Sequence, residues 1–140
     1  MKQFTAFSLL AASTAVIAAG QLDSADVVIE ALAGAGHADV RKVELDDNLW
    51  EAEVRGADGR YYDLHVIPET GAILDPKSDR PVLTAAEIRA QLESKGYTDI
   101  DDLDLDGAVW EAEAIDASGI EVDLVINGFD GSVLYSEADD

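Results

Sequence analysis

The chain has 140 residues, a formal net charge of −21, 48% apolar residues and no cysteine. That length holds one domain or two very small ones, and the apolar share supports a folded core rather than a disordered acidic tail. The charge repels phosphate backbones and anionic headgroups, which argues against nucleic acid and membrane surfaces as partners, and the missing cysteine excludes disulfides and a lipid-anchored Cys.

Residues 1–20, "MKQFTAFSLLAASTAVIAAG", differ from all that follows. A short n-region with Lys2 precedes an Ala-rich apolar run from Phe4 to Ala19, closed by the small residues Ala18 and Gly20. This pattern reads as a secretory signal peptide. Its alanines and threonines make it weakly apolar for a permanent span, so the chain is expected to be exported, periplasmic or secreted, with no membrane contact after cleavage.

The remainder is a tandem duplication. Shifting the chain by 60 residues aligns Ser24–Asp75 with Thr84–Tyr135 without a gap, and 16 of the 52 aligned positions are identical. The centre of the match is "WEAE", at Trp50–Glu53 and again at Trp110–Glu113, and glycines recur at 36/96, 59/119 and 71/131. Turns therefore recur along with core positions. The boundaries read as a first unit over 21–76, a linker over 77–82 and a second unit over 83–140.

Each unit opens with a helix. Ser24 caps the first, with Val28 and Leu32 on one face and Gly36 at its end; Thr84 caps the second, with Ile88 and Leu92 on the matching face and Gly96 at its end. Glu87 completes a capping box in the second copy that the first lacks. Strands follow. Val43 and Leu45, like Leu103 and Leu105, alternate with charged residues; Trp50, Ala52 and Val54 point one way and Glu51, Glu53 and Arg55 the other. After an "ADG" or "ASG" turn, Tyr62, Leu64 and Val66 match Val122, Leu124 and Ile126, and short apolar ends close each unit at Ile73-Leu74 and Val133-Leu134. The fold class is α+β: two tandem units, each one helix packed on an antiparallel sheet of about four strands. Trp50 and Trp110 read as core anchors.

The capped helix, "GY" at Gly96-Tyr97, "WEAEAIDASGIEVDLVI" in the second copy and "DGRYYDLHVIPETGAIL", Asp58 to Leu74, in the first resemble the PepSY domain. The resemblance covers almost all of the chain after residue 20, once per copy. It implies an architecture similar to the repeats of the beta-lactamase inhibitory protein. It also implies an exported bacterial setting and a role in inhibiting or regulating peptidases by protein contact. The family has no catalytic residues to carry over.

The residues themselves offer little for catalysis. There is no Cys, no G-x-S-x-G elbow and no H-E-x-x-H, and the two histidines, His37 and His65, align with Tyr97 and Val125 in the other copy. The carboxylate pairs Glu51/Glu53 and Glu111/Glu113 alternate with the apolar face, which predicts solvent on that side and nothing to raise a carboxyl pKa. No catalytic residue and no cofactor are expected. The strongest metal-like pattern is Asp102, Asp104, Asp106, Gly107 and Glu113, which matches EF-hand positions 1, 3, 5, 6 and 12. The repeat argues against that geometry, because Glu113 belongs to the "WEAE" strand, and Asp106-Gly107 reads as a hairpin turn. What stays specific to the second copy is the acidic row Asp102, Asp104, Asp106, a candidate for weaker cation binding. The leading expectation is a non-enzymatic binding or regulatory module whose partner is a protein, with a secreted or periplasmic peptidase as the candidate; an acidic calcium- or cation-binding protein is the alternative.

Overall fold

The computed structural model describes residues Leu22–Asp139; the expected signal peptide over 1–20 lies outside the described residues. The first unit comprises α1 (Ala25–Gly34), β1 (Val40–Asp46), β2 (Leu49–Arg55), β3 (Tyr61–Val66) and β4 (Ile73–Leu74). The second repeats the order with α2 (Ala85–Ser94), β5 (Thr98–Asp106), β6 (Val109–Ile115), β7 (Glu121–Asn127) and β8 (Val133–Ala138). Each set of strands forms one antiparallel meander, in the orders β1-β2-β3-β4 and β5-β6-β7-β8. The registers repeat with the sequence: Leu45 faces Trp50 and Ala52 faces Leu64 in one sheet, as Leu105 faces Trp110 and Ala112 faces Leu124 in the other.

The helices start where their caps dictate. Thr84 accepts from Glu87 N while Glu87 returns a hydrogen bond from the Thr84 N–H, a reciprocal capping box. Ser24 has only a long 3.4 Å contact from Val27 N. Each helix then buries its apolar stripe, Val28 and Leu32 or Ile88 and Leu92, against the inner face of its own sheet. Full burial of a side chain of this kind contributes about 1.5–3 kcal/mol relative to exposure. Both tryptophans are core anchors, as their place in the alternation requires. Each indole N–H donates to a carbonyl just ahead of the unit's helix, Trp50 to Leu22 O at 2.6 Å and Trp110 to Leu83 O at 2.9 Å. The second strand of each sheet is thus tied to the chain entering the helix.

Two details of the strands depart from simple alternation. Val43 and Leu103 pack against the cores, but Leu45 and Leu105 are 55% and 50% exposed. They stand near the tips of edge strands, where only one neighbouring strand flanks them. β5 is also irregular: its register with β6 slips twice between Thr98 and Asp104, and Asp99 and Asp102 adopt φ near +50. Asp is among the few residues that take this left-handed conformation at modest cost.

The outer faces of the two sheets meet. Leu49 and Leu74 of the first unit join Ala108, Val109, Val125 and Phe129 of the second in a shared buried cluster. The segment between the units is pinned to the second one, since Leu83 N donates to Gly128 O at 2.7 Å and the Arg80 guanidinium stacks 4.5 Å over the Phe129 ring.

Candidate functional site

Strand pairing at the two-residue turns sets the geometry of the junction. Asp47-Asn48 joins β1 to β2 with φ positive at both positions, as a type I′ turn requires. Gly107-Ala108 joins β5 to β6 with φ positive at the glycine alone, the pattern of a type II′ turn. Each turn reaches the outer face of the opposite sheet. Gly107 lies over β3 so closely that an added Cβ would stand 3.2 Å from Asp63 O and 3.5 Å from the His65 ring. In the other direction, Asp47 reaches the β6–β7–β8 face and helps to enclose a cavity there.

Under the Gly107 turn, three side chains from three strands converge: Glu51 of β2, His65 of β3 and Asp106 at the end of β5. His65 Nε2 lies 3.5 Å from Glu51 Oε2 and 3.8 Å from Asp106 Oδ2, and the His65 side chain is only 6% exposed. Its Nδ1 is buried without a hydrogen-bond partner among the described residues. Burial lowers the His65 pKa, opposed by Asp106, Asp63 and Asp46. Glu51 moves the other way: burial first, then the negative charges of Asp106 and Asp63, push its carboxyl up to about 7.

This corrects the expectation that the outward carboxylates meet only solvent. Glu51 does alternate away from its own core, but the second unit covers it. Glu111 is raised for the same reason, partial desolvation, with Asp106, Asp47 and Asp46 adding repulsion. At Glu113 the largest contribution is the charge of Asp102.

The acidic row divides between two places. Asp102 and Asp104 line a cavity of about 390 Å³ on the outer face of the second sheet, together with Glu111, Glu113, Asp123 and Glu137, and Asp47 enters it from the first unit. Asp106 points instead to His65 and Glu51. The stretch Asp102–Glu113 is the end of one strand, a turn and the next strand, so it carries none of the helical flanks of an EF-hand. Its oxygens, with those of Asp123 and Glu137, make an anionic trough suited to cations or to a basic segment of a partner. His37, the other histidine, is apart from both places, 3.4 Å from Asp75.

Sequence reasoning did not bring Glu51, His65 and Asp106 together, because Asp106 comes from the other repeat. A signal was present. "LHVI" at 64–67 and "LVI" at 124–126 are nearly continuous apolar runs, the mark of strands covered on both faces.

A helix on an antiparallel four-stranded meander, present twice in tandem, defines an α+β class of small repeated module. The family model described as "PepSY_2: Peptidase propeptide and YPEB domain" matches residues 3–77 and 75–137. The chain belongs to this family, with one copy in each unit. Comparison with curated proteins and comparison with solved structures each return no match. Among the described residues, no helix is long and apolar enough to cross a membrane.

Proposed function

We propose that this protein is an exported, non-enzymatic module, with PepSY units over 21–76 and 83–140 joined by 77–82, that regulates a secreted or periplasmic peptidase through protein contact. The observation that carries this reading is the double match to a peptidase propeptide family, extending through nearly all of the described chain. Two surfaces support it. β1 and β5 are sheet edges with no strand paired to their outer sides among the described residues, and each carries a half-exposed leucine, Leu45 and Leu105. Extended segments of a partner add to such edges through backbone hydrogen bonds, with side-chain pockets supplying specificity. The acidic trough beside β5 favours a partner of basic character, and the aspartates along β5 keep copies of this chain from pairing edge to edge.

The test pairs the purified protein with the exported peptidases of its own host and follows cleavage of a peptide substrate. The reading requires saturable binding that changes the cleavage rate, weakens with salt and is lost in Leu105→Asp. Peptidases that cleave at an unchanged rate under saturating protein would overturn it.

A further inference from the structure

We propose that Glu51, His65 and Asp106 form a binding site for a divalent transition cation of the zinc type, and that the bound ion clamps the two units together. The argument starts from an imidazole that the fold buries without satisfying. His65 is more than nine-tenths buried, its Nδ1 has no partner among the described residues, and its Nε2 faces two carboxylates at 3.5 and 3.8 Å. Those separations exceed the ordinary range of a charge-assisted hydrogen bond, roughly 2.7–2.9 Å. A buried polar group held this way costs stability unless something else uses it.

A metal ion bonded to Nε2 would replace those two long contacts with bonds, and the ring would carry its proton on Nδ1. The three donor atoms lie within 4.8 Å of one another, with edges of 3.5 and 3.8 Å from Nε2; ligands at the ~2.0–2.2 Å of zinc–nitrogen and zinc–carboxylate bonds stand about 3.3–3.6 Å apart around a tetrahedral ion. A void of about 20 Å³ borders all three side chains, with Leu49, Val109 and Val125 closing its apolar side. It has room for one small ion or one water, not for an organic ligand. The donor set also selects. One imidazole and two carboxylates suit zinc, cobalt or nickel, whereas calcium calls for about six to eight oxygens. Two carboxylates converging at the seam between the units carry mutual repulsion, and a divalent cation cancels it while bonding to the imidazole.

The duplication supplies an internal control. The equivalent of His65 in the second unit is Val125, and the equivalents of Glu51 and Asp106 are Glu111 and Asp46. Carboxylates thus recur on both sides of the seam, but only one side has the nitrogen donor. Because two ligands come from the first unit and one from the second, binding bridges the units and stabilises their contact in addition to each sheet.

The probe is Zn²⁺ alone, titrated calorimetrically into the metal-free full chain, with millimolar Ca²⁺ present to occupy the diffuse acidic surface. Co²⁺ serves as the spectroscopic substitute. The expected result is saturation at one equivalent, a rise in Tm and visible Co²⁺ bands of a low-coordinate site. His65→Val, the residue used in the second unit, should abolish stoichiometric binding. Glu51→Gln and Asp106→Asn should each weaken it by more than the roughly tenfold that loss of even an outer-shell partner costs. Asp104→Asn and Glu113→Gln, at residues that line the other cavity and not this void, should leave it unchanged. Circular dichroism confirms folding, and if His65→Val does not fold, the two carboxylate variants decide. No saturable zinc binding, or binding that survives in these variants, would reduce the effect to attraction of cations to an acidic surface and overturn the proposal. None of these readouts requires a peptidase, so the outcome is separate from that of the regulatory reading.

Discussion

Removing the side chain of Leu124 should destabilise the first unit as well as the second. Leu124 is 1% exposed and packs in the core of the second unit with Trp110 and Ile126. Truncation to alanine in such a site costs about 2–5 kcal/mol. For a chain of this size each kcal/mol lowers Tm by roughly 4 °C, so a fall of about 8–20 °C is expected. The transmission to the first unit follows from the seam. A unit of roughly 60 residues is marginal alone. Exposing Leu49, Leu74, Val109, Val125 and Phe129 would cost, as an upper bound, on the order of 8–15 kcal/mol, comparable to the whole stability of a small domain. The assay uses the two tryptophans, one in each core. Trp110→Phe leaves Trp50 to report the first unit, and Trp50→Phe leaves Trp110 to report the second. Leu124→Ala is placed in each background and unfolding is followed by fluorescence against temperature and urea. Both reporters should shift together and keep coincident midpoints. A Trp50 midpoint that stays in place while that of Trp110 falls would show independent units and refute the argument from the shared cluster.

Three further outcomes are expected. Gly128→Ala should lower Tm clearly, because its Cβ would stand 2.3 Å from the Ala108 carbonyl oxygen, a backbone atom with no free rotation to escape; calorimetry against wild type checks it. Thr84→Ala should cost about 1 kcal/mol in urea unfolding, and Ser24→Ala less, since only Thr84 sits in a closed capping box. Asp47→Asn should raise Tm at neutral pH, with the gain shrinking on acidification. Desolvation, then Asp46, Glu137 and Asp123, raises the Asp47 pKa above its ordinary value of 3.8. Its ionisation therefore withdraws stability as pH rises through the folded pKa, and asparagine, which also suits a turn residue of positive φ, does not ionise. A gain that grew toward low pH would contradict this sign.

The fold was legible because its determinants are local. Caps, turn glycines and period-two alternation each act within about ten residues, and the duplication displayed them twice, so Trp50, Ala52, Leu64 and their partners 60 residues on could be placed inward by agreement between copies. The junction was not legible in the same way. Glu51 and His65 are covered by a turn from the other repeat, and no within-unit period reports on that contact. The sequence reading assigned Glu51 to solvent because alternation identifies the face away from a strand's own helix; whether a second sheet covers that face is a tertiary fact. Leu45 and Leu105 erred in the opposite direction, apolar by pattern but left half exposed by their place at the edge.

Carboxylates recur on both sides of the seam, but the pairs His65/Val125 and Asp47/Gly107, which differ between the copies, shape it. The first unit presents His65, and the turn that meets it is Gly107, where any side chain would crowd Asp63 O and the imidazole. The second unit presents the smaller Val125, and the turn on that side carries Asp47, whose side chain enters the acidic cavity. Large against small on one side and small against large on the other is a complementary pair, and two identical copies could not make it. The same divergence separates the charges: the second copy from Leu83 onward has two basic residues, Arg89 and Lys95, against 16 acidic ones, while the first keeps Arg41, Lys42, Arg55 and Arg60. Arg41 is engaged on its own strand face, 2.8 Å from Glu53 and over the ring of Tyr61, which leaves the second unit's acidic trough as the stronger electrostatic feature. The duplicated scaffold is therefore electrostatically one-sided, with its strongest negative surface beside β5 and its neighbours rather than β1.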